Sequence, residues 1–417
     1  MKWLWLFYFP LLFIPNFGFT QQTDFGVLEV SDWLIVPFIV LLVIAPSARY
    51  EQRISKLNPF LCAFFLWALV SILSIHFRYE YLDDVSILVG SCLKLAKLAL
   101  YVIPGVLTTR KLSDSSVRGA WLWSLLAALC MLGIGLLVSG GDSGAQTTDA
   151  FEGYKSYNAI IVSMAILCSY IAGLWIDNIG SRKWSRCASI VVIFAVCSVL
   201  VSSSLSSHGR GGWVAFAAGF AYILWKRAQT LKTLVIILIV GLASLTAYET
   251  LPNLKSLVDL TISPTQDTQS DSVDDGARIS TWEHEAPNFI NAPVFGTGFY
   301  HRGGASGLWN TGSHNFFLQM FLETGCVGGI LLIVIFALAW RQAQLTAISR
   351  NKISAATRAA LISAIVGGMS GEYYYGGICV LVLFAAFAIA GSLPSAEIVV
   401  VTDKARSQMF RWRQVAS

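Results

Sequence analysis

Charge is scarce in this sequence. Asp, Glu, Lys and Arg together make up 13% of its 417 residues, while 55% are hydrophobic. Soluble domains carry about 25% charged residues, so the ordinary soluble class is excluded and the chain reads as a polytopic membrane protein. Paired cysteines are missing too. The eight cysteines (62, 92, 130, 168, 187, 197, 326 and 379) lie in or beside apolar runs, and none forms a CxxC pair. Neither a disulfide framework nor a zinc site is indicated. No phosphate-binding P-loop, GxSxG or HExxH motif occurs. There is no internal repeat, and the two halves differ in loop length and charge, which weighs against an inverted-repeat transporter. A convincing signal-peptide cleavage site is lacking as well. Only Gly18–Thr20 follows the apolar run Trp3–Ile14, which therefore reads as part of a first span. The net charge of +5 is dispersed over short loops, so nucleic acid is not an expected partner.

What the sequence does have is a succession of apolar runs. A membrane-spanning helix needs about 20 such residues, fewer where the bilayer thins. Twelve runs qualify: 3–19, 31–47, 59–76, 85–108, 119–139, 158–176, 187–204, 211–225, 232–249, 315–339, 357–371 and 376–392. The expected fold is all-α, with about 12 transmembrane helices and one large loop between helices nine and ten. This divides the chain into helices one to nine (1–249), the loop with short helices (250–314), helices ten to twelve (315–392) and a basic tail (393–417). Twenty-one Lys and Arg residues fall on one side. Six fall on the other: Arg78, Lys155, Arg210, Lys255, Arg278 and Arg302. The positive-inside rule then puts both termini in the cytoplasm. All five histidines (76, 208, 284, 301 and 314) lie on the outer side.

Ser313 to Gly329 mark the border where the long outer loop gives way to an apolar helix. His314 sits there, within reach of water, sugar and lipid headgroups. Gly325 and Gly328 share its helix face, where small residues would admit a neighbouring helix. Helix N-termini leave N–H groups without intrahelical partners, and the positive dipole end suits an anion. An imidazole beside such a site is placed for acid–base chemistry. Arg210 follows a serine-rich turn and opens the eighth span, where a cation opposes the helix dipole unless an anion is shared. It suits a phosphate cradle, or else snorkels to lipid phosphate. Arg278 lies four residues before Trp282, so the two share a face. Guanidinium and indole together would hold a phosphorylated sugar, or simply pack at the surface. Lys155, in a short outer loop, offers a further phosphate contact or a lipid anchor. Lys94 and Glu323 stand inside apolar spans, where isolated charges are expensive, and are expected to be neighbours. Asp267, Asp271, Asp274 and Asp275 match no metal-ligand spacing and read as a solvated loop.

The run HNFFLQMFLETGCVG has the form His-Asn, nine residues, then Gly-x-x-Gly. It resembles the signature of the bacterial O-antigen ligase family, within the O-antigen ligase and polymerase superfamily. SSHGRGGWVAF is similar to that family's SxSRGxW segment, with His-Gly before the arginine where serine is usual. ARISTWEHEAPNFINAPVFGTG is similar to its R…W…P…GxG loop. The resemblance covers roughly residues 200–340, and the twelve-span layout agrees with it. It implies a GT-C-type glycosyltransferase without a nucleotide-sugar donor; no cofactor is expected, and no divalent metal either, because side chains supply the cations. The implied reaction moves a polysaccharide from undecaprenyl pyrophosphate to the lipid A-core of lipopolysaccharide, at the periplasmic face of the bacterial inner membrane. It also implies His314 as the essential histidine, with Arg210 and Arg278 at the pyrophosphate. Asn315, Lys155 and Trp282 complete the expected substrate-binding set. The implied partners are the lipid-linked O-antigen, the lipid A-core acceptor and the surrounding membrane lipids. Two alternatives stay open: an O-antigen polymerase using the same donor, and a lipid-linked sugar transporter.

Overall fold

The computed structural model describes residues 21–23, 26–28, 30–44, 57–78, 85–111, 157–177, 210–227, 283, 287, 289–299, 315–348, 352–371, 382–383 and 386–387. Two short strands, β1 (Gln21–Thr23) and β2 (Gly26–Leu28), pair antiparallel in the register Gln21↔Leu28, Gln22↔Val27 and Thr23↔Gly26. This hairpin departs from the all-α expectation. Only two residues separate the paired Thr23 and Gly26, the loop length that favours a hairpin. Among the described residues seven helices follow: α1 (Val30–Ile44), α2 (Asn58–Arg78), α3 (Val85–Lys111), α4 (Tyr157–Asp177), α5 (Arg210–Arg227), α6 (Phe316–Ile348) and α7 (Lys352–Ser370). Each falls on one of the apolar runs expected to form a span. The runs 3–19, 119–139, 187–204 and 232–249 lie outside the described residues. From 376–392 only Val382, Leu383, Ala386 and Phe387 are described, all buried.

Small residues explain how the helices pack. Helices α4, α5 and α7 contact one another pairwise. On α7, Ala356, Ala359, Ala360 and Ala364 are fully buried at helical spacing. A Cβ added at Gly173 would stand 2.5 Å from the Ala356 Cα, and one added at Gly219 would stand 2.9 Å from the Ala359 carbonyl oxygen. The backbones therefore touch, as they do where apolar helices associate by van der Waals contact rather than by expelling water. Ser169 and Ser363 meet there through their hydroxyls at 2.6 Å, so neither is left unsatisfied in the apolar interior. All residues from Val162 to Leu174 are buried. Helix α4 is therefore covered on every side over this stretch.

Helix α6 joins this group to the N-terminal helices by packing on both α7 and α2, while α3 packs on α1 and α2. Some faces keep large apolar side chains outward: Trp33, Val36, Val40 and Val43 on α1, Leu66, Leu69, Val70 and Leu73 on α2, and Ile330 and Ile333 on α6. Contiguous apolar surface of this kind marks an interaction surface. Phe316–Gln344, 29 residues, is the described helix long and apolar enough to cross a membrane. Asn58–Ser74, Val162–Leu174 and Val214–Lys226 are shorter apolar helices. The free cysteines Cys62, Cys92, Cys168 and Cys326 lie along the helices.

Candidate functional site: a broken helix and its docked loop

Helix α6 begins with a cap. The Asn315 Oδ1 accepts hydrogen bonds from the N–H groups of Phe317 (3.0 Å) and Leu318 (3.1 Å). Its own carbonyl accepts the first helical bond, from Gln319 N at 2.9 Å. This is the N-cap geometry that makes asparagine a preferred helix starter. The expectation of open N–H groups at this terminus is corrected accordingly: the side chain next to His314 already takes up two of them. Asn315 thus has a structural role beside any contact with substrate.

Nine residues on, the helix breaks. Gly325 has φ 68° and ψ −172°, a backbone region essentially closed to residues with a Cβ. A helix end leaves carbonyls without partners, and in an apolar setting each must be satisfied by other protein groups. The segment Phe289–Phe299 and helix α2 supply them. Thr297 N donates to the Leu322 carbonyl at 2.8 Å, and Gly298 N to that of Glu323 at 2.9 Å. Trp67 Nε1 donates to the Thr324 carbonyl at 2.8 Å. Ser71 Oγ lies 2.7 Å from the Glu323 carbonyl and 2.6 Å from that of Phe295. Its single hydrogen is shared between them. Beyond the break, Cys326 N donates to the Pro293 carbonyl at 2.7 Å. The Trp67 indole stacks on Phe295 with centres 5.2 Å apart and planes 10° from parallel.

Glycine is required on both sides of this interlock. Gly296 has φ 72°, and a Cβ there would lie 2.4 Å from the Glu323 carbonyl carbon. A Cβ at Gly325 would lie 2.1 Å from the Val294 carbonyl oxygen. The small residues of Gly325-x-x-Gly328 were expected to admit a neighbouring helix. Gly325 instead admits a loop, whereas a Cβ added at Gly328 would meet the Thr324 side chain and, at 3.2 Å, the Trp67 ring of the neighbouring helix α2, as expected there. The short helix Phe316–Thr324 is therefore fixed at both ends, by Asn315 and by the capped carbonyls.

Residues 190–333 match the family model for O-antigen ligase. Over that stretch the chain is similar to the O-antigen ligase family. No relative was found among curated proteins. The match includes the loop, the break and all of α5, and it supports an activity of the O-antigen ligase or polymerase type. Arg210 is the first residue of α5, as the sequence indicated. His314, Arg278, Trp282 and Lys155 lie outside the described residues, so their convergence is not part of the described geometry. Glu323 is fully buried, and its carboxylate accepts a hydrogen bond from Gln319 Nε2 at 2.7 Å. Helix α2 contacts both the helix carrying Glu323 and the one carrying Lys94. Among the described residues no group of three or more His, Cys, Asp or Glu could hold a metal ion. Trp67 and Ser71 were missed in the sequence. A Ser and a Trp inside an apolar run carry no signal of a partner more than 250 positions away.

Proposed function

We propose that this protein is an O-antigen ligase. It transfers polysaccharide from undecaprenyl pyrophosphate to the lipid A-core of lipopolysaccharide, at the periplasmic face of the inner membrane. The observation that carries this reading is the interlock. Within the matched stretch 190–333, the loop turn Pro293–Gly298 is bolted into the break of α6, nine residues from the helix start that follows His314. Twelve spans with both termini in the cytoplasm would put that helix start on the outer side.

Departure of a lipid pyrophosphate needs its growing negative charge stabilised, and the acceptor hydroxyl must lose a proton. Arg210 and Arg278 are assigned the first task, since fixed guanidinium groups in a low-dielectric site stabilise developing charge without reorganising. His314 is assigned the second, as general base or as the group that orients the acceptor. Lys155, Trp282 and the Asn315 amide complete substrate binding. The reaction inverts the anomeric carbon and needs no divalent metal.

The test is a deletion strain complemented with His314→Ala, with its lipopolysaccharide resolved on a gel. Lipid-linked long polymer should accumulate while the core stays bare. Single-unit caps on the core would instead identify a polymerase, and retained ligation would remove His314 from catalysis. Purified protein should carry out the transfer in detergent and in the presence of EDTA, as a transporter could not.

A further inference from the structure

At the far end of the bundle from Asn315, the last turns of α5 and α6 meet the start of α7. The Ser354 hydroxyl donates to the Ala343 carbonyl and ties α7 to α6 there. Arg358 of α7 lies between two rings. Its guanidinium carbon is 5.5 Å from the centre of the Tyr222 ring and 6.0 Å from that of Trp340. The two rings meet edge-on at 5.8 Å. Arg358 is only 8% exposed and Tyr222 only 7%.

The rings cover the faces of the guanidinium, but they accept none of the hydrogen bonds it directs in its plane. Arg358 Nε and the Tyr222 hydroxyl are both buried without a hydrogen-bond partner among the described residues. Buried donors are nearly always paired, and buried arginines almost invariably so. Among the described residues, two donors on touching side chains thus have no acceptor. The surroundings indicate the charge that a fitting acceptor would carry. Trp225 is exposed, meets Tyr222 edge-on at 6.4 Å and lies under the Lys226 ammonium at 5.3 Å. Arg341 is exposed on the adjoining turn of α6. Tryptophan and basic side chains at the end of apolar helices mark a membrane–water interface and attract anionic headgroups. Asn315 and Trp340 lie toward opposite ends of Phe316–Gln344, the described stretch long and apolar enough to cross a membrane.

We propose that Arg358, Tyr222 and Trp340 form a binding site for the phosphate of an anionic phospholipid, in the leaflet opposite the candidate transfer site. The Arg358 fork and the Tyr222 hydroxyl donate to the phosphate oxygens, and Trp340 holds the guanidinium in place. The inference rests on the membrane reading but not on the transfer reaction.

The test uses the full chain purified in detergent, with native mass spectrometry and thermal unfolding as readouts. Phosphatidylglycerol should be retained and should raise Tm, while phosphatidylcholine and inorganic phosphate should do neither. Arg358→Lys keeps the charge but loses the fork, and Tyr222→Phe keeps the ring but loses the hydroxyl. Each should weaken phosphatidylglycerol retention about tenfold, the scale of one charge-assisted hydrogen bond. His314→Ala should retain the lipid as the wild type does, so failure of the transfer reading and failure of this one are distinguishable. Equal retention by wild type and both variants would overturn the proposal, as would equal binding of phosphatidylcholine. An equal Tm rise with inorganic phosphate would overturn the lipid assignment in favour of a free anion.

Discussion

Replacing Gly325 by alanine should undock the loop that closes the break in α6. The added methyl would lie 2.1 Å from the Val294 carbonyl oxygen, 2.4 Å from its carbon and 2.8 Å from Gly296 N. All three are backbone atoms, so no side chain can rotate out of the way. Alanine at φ 68° and ψ −172° also carries backbone strain of about 1–3 kcal/mol. Retreat of the loop would take with it the bonds from Cys326 N to Pro293, Thr297 N to Leu322 and Gly298 N to Glu323. Each is worth about 0.5–1.5 kcal/mol net. The total, roughly 2.5–7.5 kcal/mol, is a large fraction of the 5–15 kcal/mol that holds a typical domain together. Gly90→Ala is the control, because a methyl there meets nothing within 4 Å. It should leave stability unchanged, or raise it by up to about 1 kcal/mol through helix propensity. The assays are thermal unfolding in detergent, protease sensitivity of residues 289–299 and polysaccharide transfer in cells. The alanine variant should melt well below wild type, expose the loop to cleavage and lose transfer. Gly325→Ala that melts with the Gly90→Ala control and keeps its loop protected would refute the interlock.

Substitutions at two further positions probe the remaining contacts. Asn315→Ala removes the helix cap and should lower stability by about 1 kcal/mol. Asn315→Asp keeps the capping oxygen, so it should melt like wild type, and any loss of transfer in that variant would report the amide rather than the cap. Gly219→Ala places a methyl 2.2 Å from Ser363 Oγ, 2.4 Å from Ser169 Oγ and 2.9 Å from the Ala359 carbonyl oxygen. This overpacking of α4, α5 and α7 should cost about 1–3 kcal/mol in thermal unfolding, and an unchanged Tm would mean that these helices do not touch as described.

The helices were legible because a long apolar run has few alternatives to helix, and α2, α4 and α5 begin and end within two residues of the runs that announce them. The break in α6 was not. Hydropathy continues through Gly325 into Cys326 and Val327, and composition carries no information about φ. The histidine-to-glycine motif could be recognised as a motif, but its glycine reads equally as a helix-packing position and as a left-handed break. What decides is the loop at 293–298, about thirty residues earlier in the chain and brought there only by the fold. Trp67 and Ser71 were still less accessible. They lie outside the matched stretch 190–333, yet they donate to carbonyls inside it. Asn315 shows the opposite case: its position just before an apolar run is itself a capping signal, which the neighbouring histidine overshadowed.

The two segments singled out by the family resemblance, the GxG loop and the histidine helix with its Gly-x-x-Gly, are two sides of one backbone interlock. Their glycines serve contact between main chains, since no side chain could occupy Gly296 or Gly325 without colliding with backbone. Their mechanical effect is to hold the nine-residue helix Phe316–Thr324 at its far end, while Asn315 caps the near end. A short helix secured in this way at both ends transmits little motion. For a reaction in which misplacement by 1 Å costs about a hundredfold in rate, that rigidity is a sufficient reason for a membrane helix to bear the cost of a break.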